Sequence, residues 1–179
     1  IQMVSSPNVS ENLETAGRLI GEAAKDGSKV VVLPEYFCLM GHQDTDKLQI
    51  AETYGDGPMQ TALSAMAKRH GLWLAAGSLP IAVPGDASRV RNTCLVFNPN
   101  GDNVARYDKI HLFGLDLGNE RYHEEKTIEA GDQVVVVDTP FGKIGLSICY
   151  DLRFPELFRA MGEVDIIAIP AAFTETTGK

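Results

Sequence analysis

Three buried-looking strands in this sequence each end on a side chain able to do chemistry. Val30 to Leu33 leads through Pro34 to Glu35, Val104 to Asp108 leads to Lys109, and Lys143 to Ile148 leads to Cys149. Open α/β sheets place ligand sites just beyond the carboxyl ends of their strands. If these three ends are neighbours, a carboxylate, an ammonium and a thiol able to act as a nucleophile converge on one point. Taken singly, each has a plainer reading: a small buried cysteine, a solvated lysine, a loop carboxylate.

The elements that must position them are partly legible. Leu13, Ala16, Ile20, Ala23 and Ala24 recur at helical spacing after Ser10, which reads as the cap, and Gly27 ends that helix. Ile1 to Val4 reads as a strand entered midway, and Lys29 to Leu33 as a strand buried on both faces, which together predict a βαβ unit. The stretch from Pro34 to about Gly57 is a long loop. Pro58 opens a second helix closed by Gly71, and a strand is expected over Leu72 to Ser78. Pro80 and Pro84-Gly85-Asp86 predict a loop, and Asn98 to Gly101 predicts a hairpin turn between Asn92 to Phe97 and Val104 to Tyr107. Leu115 to Asp132 reads as a surface loop. Strands over Val134 to Asp138 and Lys143 to Ile148, a short helix from Pro155 and an apolar run Val164 to Ile169 complete the chain. Strands that alternate with helices and later pair as hairpins give an α/β or α+β fold with a mixed sheet.

Composition narrows the function classes. The 179 residues are 44% hydrophobic and 22% charged, an ordinary globular mixture of single-domain length. The formal charge of −8 argues against nucleic acid or anionic membrane as partners, and no apolar run is long enough to span a bilayer. Cys38, Cys94 and Cys149 are too few and too widely spaced for a disulfide framework, which suits reduced thiols in the cytoplasm. Neither a Cys-x-x-Cys motif nor a His/Cys cluster points to a metal.

Three blocks decide between the plain and the reactive readings. Leu33-Pro34-Glu35-Tyr36-Phe37, Tyr107-Asp108-Lys109-Ile110-His111-Leu112-Phe113 and Ser147-Ile148-Cys149-Tyr150-Asp151-Leu152-Arg153-Phe154-Pro155-Glu156-Leu157 resemble, in order and separation, the signature blocks of the nitrilase superfamily of carbon-nitrogen hydrolases. The resemblance runs from the first strand to Pro170-Ala171-Ala172-Phe173-Thr174. It implies an αββα sandwich with a Glu-Lys-Cys site that needs no cofactor. Cys149 would be the nucleophile, Glu35 the general base, and Lys109 with the Tyr150 backbone N–H the oxyanion donors. A second carboxylate falls at Glu124, with Glu125 beside it as the alternative. His111 would support the Lys109 loop. Lys109 should favour the thiolate, making Cys149 the most readily alkylated thiol. Cys38, Cys94 and Trp73 read as packing residues, and Arg153 as the partner of a structural carboxylate or, as the alternative, of a substrate carboxylate.

The Asp108 to Phe113 block and Pro170 to Thr174 with Thr177-Gly178 resemble the branch of deaminated glutathione amidases and omega-amidases more than that of true nitrilases. A small-molecule amide is therefore the expected substrate, with a nitrile hydrolase or a non-catalytic binding protein of the same fold as rivals. The segment Gly114 to Arg121 is one residue shorter than the omega-amidase pattern, so substrate choice stays open. The resemblance also implies a homodimer or higher homo-oligomer. It makes residues 1–179 a single hydrolase domain lacking a few residues at its start and its C-terminal third.

Overall fold

The computed structural model describes residues 1–117 and 120–173. Its first helix, α1 (Val9–Lys25), buries Ala16 and Ile20 on the face the sequence pattern marks. Asn8 rather than Ser10 caps it, accepting the backbone N–H groups of Ser10 at 3.0 Å and Glu11 at 3.3 Å. The expected strand over Ile1 to Val4 is not formed; the Ile1 ammonium donates to the Val32 carbonyl at 3.0 Å, and one such bond makes no ladder. The βαβ unit therefore lies one step later. β1 (Val30–Val32) is followed by the short α2 (Asp46–Gln49), by α3 (Pro58–His70) and by β2 (Trp73–Ala75), which pairs parallel with β1.

β3 (Leu79–Val83) and β4 (Asp86–Phe97) form a hairpin around Pro84-Gly85 where the prolines predict a loop. Pro80 is tolerated because β4 is the one strand that β3 pairs with among the described residues, its far side meeting only an isolated bridge from Glu52 to Ile81, so the missing N–H falls on an edge. β4 is the long organising strand: it meets β2 and β3 and also pairs with β5 (Asn103–Asp108). The expected loop from Leu115 to Asp132 holds a second hairpin, β6 (Gly114–Leu117) with β7 (Glu120–His123), and then a 3-10 turn at Glu124–Lys126. That hairpin is a separate two-stranded sheet, which explains why it carries no buried-strand pattern. β8 (Val136–Thr139), β9 (Gly142–Leu146), a 3-10 turn over Cys149–Arg153, α4 (Pro155–Ala160) and β10 (Ile166–Ala168) follow, with β10 parallel to β9.

Two cores define the layers. Ala16, Ile20, Leu63 and Ala67 of α1 and α3 pack with Val31, Leu74 and Leu95 of the five-stranded sheet. The alternating neighbours Ala75, Cys94 and Val96, with Tyr107, join Val137, Ile144 and Leu146 of the second sheet and Leu157 and Met161 at α4. A Cβ on Gly145 would stand 2.6 Å from the Met161 sulfur, so a larger residue there would displace the Met161 side chain. The layers run helix, sheet, sheet, helix, as the resemblance implies. Thr174, Thr177 and Gly178, used above to place the branch, lie outside the described residues.

Candidate active site

The facing sheets bring the three strand ends together. Glu35 leaves β1 through Leu33-Pro34, which pass so close to Gly77 (φ +58°) that a Cβ there would lie 2.1 Å from the Pro34 carbonyl oxygen. Lys109 stands one residue beyond β5, with its N–H on the Asn92 carbonyl at 2.9 Å and its own carbonyl accepting from Gly131 at 2.8 Å. Cys149 begins the 3-10 turn after β9 and donates its N–H to Pro170 at 2.8 Å. Among the described residues only Tyr36 (φ 52°) and Cys149 (φ 46°) are non-glycines with positive φ. Such geometry costs about 1–3 kcal/mol per residue and tends to gather at functional sites. Here both residues flank the same point.

The ammonium of Lys109 sits between two carboxylates, 2.9 Å from Glu35 Oε1 and 2.9 Å from Glu124 Oε2. All three side chains are buried, with Lys109 1% exposed. Glu35 Oε1 also accepts Asn92 Nδ2 at 3.0 Å, and Oε2 accepts the Ala172 N–H at 3.1 Å. Glu124 accepts the Phe113 N–H at 2.8 Å and the Tyr36 hydroxyl at 3.3 Å. Glu124 thus occupies the position that the sequence left between two residues, whereas Glu125 is exposed and paired with His123. The Cys149 thiol donates to the Ala172 carbonyl at 3.8 Å and lies near enough to Glu35 for the carboxylate to act on its titration. It opens on a cavity of about 130 Å³ walled by Phe113, Tyr150, Leu152 and Phe173.

Burial dominates the electrostatics. It raises the Glu35 carboxyl pKa; Lys109 opposes that and Glu124 reinforces it. Burial alone would pull the Lys109 ammonium down, but Glu35 and Glu124 together leave its pKa above the ordinary lysine value. The Cys149 thiol is pushed up to about 12, first by burial and then by Glu35, and the lowering by Lys109 is the smaller effect. Lys109 does favour the thiolate, as expected, but burial and Glu35 outweigh it. The resting thiol keeps its proton, and a base must take it. Glu35, beside that thiol and made more basic by burial, is placed to do so. Cys38 and Cys94 are fully buried in the cores, as expected of packing residues, while Cys149 is partly accessible.

Several residues of the site escape a reading of the sequence. Asn92 is one, and its Oδ1 is buried without a hydrogen-bond partner among the described residues. The sequence offers little signal for it, because β4 also carries Asp86, Ser88, Arg89, Arg91 and Thr93. Asp151, fully buried, is another: it accepts the Tyr107 hydroxyl at 2.6 Å and the backbone N–H groups of Ile148 at 2.9 Å and His111 at 3.0 Å. His111 Nδ1 stands 2.7 Å from Asp151, and its ring stacks on Phe154 at 3.7 Å. This network ties the Lys109 loop to the Cys149 turn, so the histidine braces the loop. Arg153 is exposed on the rim of the Cys149 cavity and makes no ion pair among the described residues, so the expected structural carboxylate is not found there. Trp73 is only partly buried, packed against the second core.

Among the described residues no cluster of three or more His, Cys, Asp or Glu side chains is arranged to hold a metal ion, and no helix is long and apolar enough to cross a membrane. Residues 1–178 match the family model described as carbon-nitrogen hydrolase. A deaminated glutathione amidase of Synechocystis is 42% identical over 185 residues, covering 100% of this chain and 67% of its own. Omega-amidase NIT2 of Xenopus tropicalis is 38% identical, covering 99% of this chain and 64% of its own. The NitFhit protein of C. elegans superposes with a TM-score of 0.88 at 36% identity, over 99% of this chain and 44% of that one. The chain thus spans about two thirds of the length of these amidases.

Proposed function

The chain belongs to the carbon-nitrogen hydrolase family, and from that premise we propose that it hydrolyses the amide bond of a small metabolite through a thioester on Cys149. The observation that carries this reading is the Lys109 ammonium fixed between Glu35 and Glu124 beside the Cys149 thiol. An ammonium has three donors. One meets Glu35 Oε1 and one is shared between the two Glu124 oxygens at 3.1 and 2.9 Å, which leaves the third N–H for a substrate carbonyl oxygen. Glu35 takes the thiol proton as sulfur attacks the carbonyl carbon. The resulting oxyanion is held by Lys109 and by the Tyr150 N–H in the first turn after the nucleophile. Collapse transfers that proton from Glu35 to the departing nitrogen and leaves the thioester. Water, deprotonated by the same Glu35, then attacks; collapse releases the carboxylate product and returns a proton to the sulfur. Glu124 holds Lys109 in place throughout.

The likeness to deaminated glutathione amidases and omega-amidases makes amides of 2-oxo acids the first substrates to try. In this reading residues 1–179 form one hydrolase domain, a cytoplasmic enzyme acting as a homo-oligomer without a cofactor. The test is ammonia or amine release from 2-oxo amides, simple amides and matched nitriles, run beside Cys149→Ala. Release from amides, abolished in a folded Cys149→Ala variant, supports the proposal. Release from nitriles alone, or release that survives the substitution, overturns it.

A further inference from the structure

Beyond the Glu35-Lys109-Glu124 cluster, the long segment after β1 buries a second lysine. Lys47 of α2 is 7% exposed. Its ammonium donates to Thr127 Oγ1 at 3.2 Å and lies 5.5 Å from the centre of the Tyr36 ring. Among the described residues Thr127 is its one hydrogen-bond acceptor, and the one carboxylate within 4.0 Å is Asp44, whose side chain is half-exposed. Two of its three donors are therefore left for something else. Lys47 lines a cavity of about 140 Å³ together with Tyr36, His42, Gln43, Asp44 and Tyr122.

This cavity is next to the proposed site. Tyr36 forms one wall and also donates its hydroxyl to Glu124. Tyr122 forms another and is near enough to both Asp44 and Cys149 for each charge to act on its phenol. Its ring lies 6.0 Å from that of Phe113, which walls the Cys149 cavity. The two cavities therefore flank one aromatic partition. A buried cation with no close buried counter-ion works against folding, and in a chain of net charge −8 it is an uncommon feature. The geometry points to Lys47 as an anion-accepting subsite that takes a carboxylate at the non-reacting end of the amide substrate. The cavity holds several times the ~30 Å³ share of one water. That suffices for a carboxylate and its neighbouring carbons but not for a whole peptide-like metabolite, so the rest of the substrate runs past Tyr122 toward Cys149.

This inference rests on the amidase reading, and the experiment separates the two. Ammonia release is measured with succinamate, a carboxylated amide, and with butyramide, its neutral counterpart, in the wild type, Lys47→Met, Lys47→Arg and Arg153→Met. Lys47→Met should lower the ratio of kcat/KM for succinamate to that for butyramide by about 10- to 100-fold, mainly through KM, the worth of one charge-assisted hydrogen bond. Lys47→Arg should recover part of the loss. An equal fall for both substrates assigns Lys47 to the charge balance of the carboxylate cluster and overturns the subsite. So does a ratio that moves with Arg153 instead. If the wild type hydrolyses neither amide, the 2-oxo amides decide the amidase reading, and succinate binding by calorimetry decides the subsite alone. Binding lost in Lys47→Met upholds it, and binding that is equal in both, or absent from the wild type, overturns it.

Discussion

Lys109 and Lys47 are both buried, yet burial ends differently for each. Lys109 lies 2.9 Å from two buried carboxylates, and its pKa stands above that of a free lysine. Lys47 has a hydroxyl, an aromatic face and a distant half-exposed carboxylate, and burial leaves its pKa below the free value. Desolvation acts on both; close, hydrogen-bonded counter-ions reverse its effect in one region only. The charge of Lys109 is part of how the protein holds itself together. The charge of Lys47 is kept although the fold gains little from it, which is the condition expected of a group reserved for a ligand.

The contrast is most easily broken at Lys109. Lys109→Met leaves Glu35 and Glu124 buried without their shared cation, and removing one partner of a buried pair costs about 3–5 kcal/mol. Urea denaturation at pH 8 should show a loss of that order. The loss should shrink near pH 5, where the stranded carboxyls can neutralise by taking protons. Activity should fall by at least about 10²-fold, since an oxyanion donor is lost as well. Full stability at pH 8 would mean that the two carboxylates were already neutral, and the distinction between the lysines would collapse.

Glu35 gives a second, smaller lever. Its folded pKa lies above 4.5, so across the window from 4.5 up to the folded value the native state binds more protons than the unfolded chain. The stability contributed by Glu35 is therefore complete below that window and declines as pH rises through it, by up to about 1.4 kcal/mol for each pH unit the window spans. Activity moves the other way, because the base must be ionised. Amide hydrolysis should gain its acid limb above the ordinary glutamate range while wild-type stability, measured against Glu35→Gln, falls over the same interval. An acid limb at the ordinary glutamate pKa would show that Lys109 outweighs burial at Glu35.

What could be read in the sequence depends on where each signal resides. Glu35, Lys109 and Cys149 are visible because each follows a strand-like run and sits in a specific motif. Burial and neighbours are not. Lys47 lies in a polar stretch with no periodicity, and only tertiary packing against Thr127 and Tyr36 turns it inward. Asn92 and Asp151 look like ordinary polar residues until the sheets face each other. The β6-β7 hairpin and the β3-β4 hairpin escape for local reasons, one lacking a buried face and the other carrying prolines on an edge strand. The thiol of Cys149 holds its proton against expectation because sequence reveals the nearby cation but not the depth of burial.

Lys47→Met should give the smallest effect and the sharpest comparison, because its sign is opposite to that at Lys109. With a folded pKa below the ordinary 10.5, the native state binds fewer protons than the unfolded chain between the lowered value and 10.5. Stability on this account rises with pH through that window, and at neutral pH the buried charge is a net cost. Methionine keeps the length and flexibility of the stem and removes the charge, so the variant should gain about 1 kcal/mol at pH 7. The gain should diminish near pH 10 as the wild-type ammonium loses its proton. A loss of similar size at pH 7 would mean that the contacts to Thr127 and Tyr36 outweigh desolvation. Lys47 would then be a structural lysine like Lys109, and the argument that its charge awaits a ligand would lose its footing.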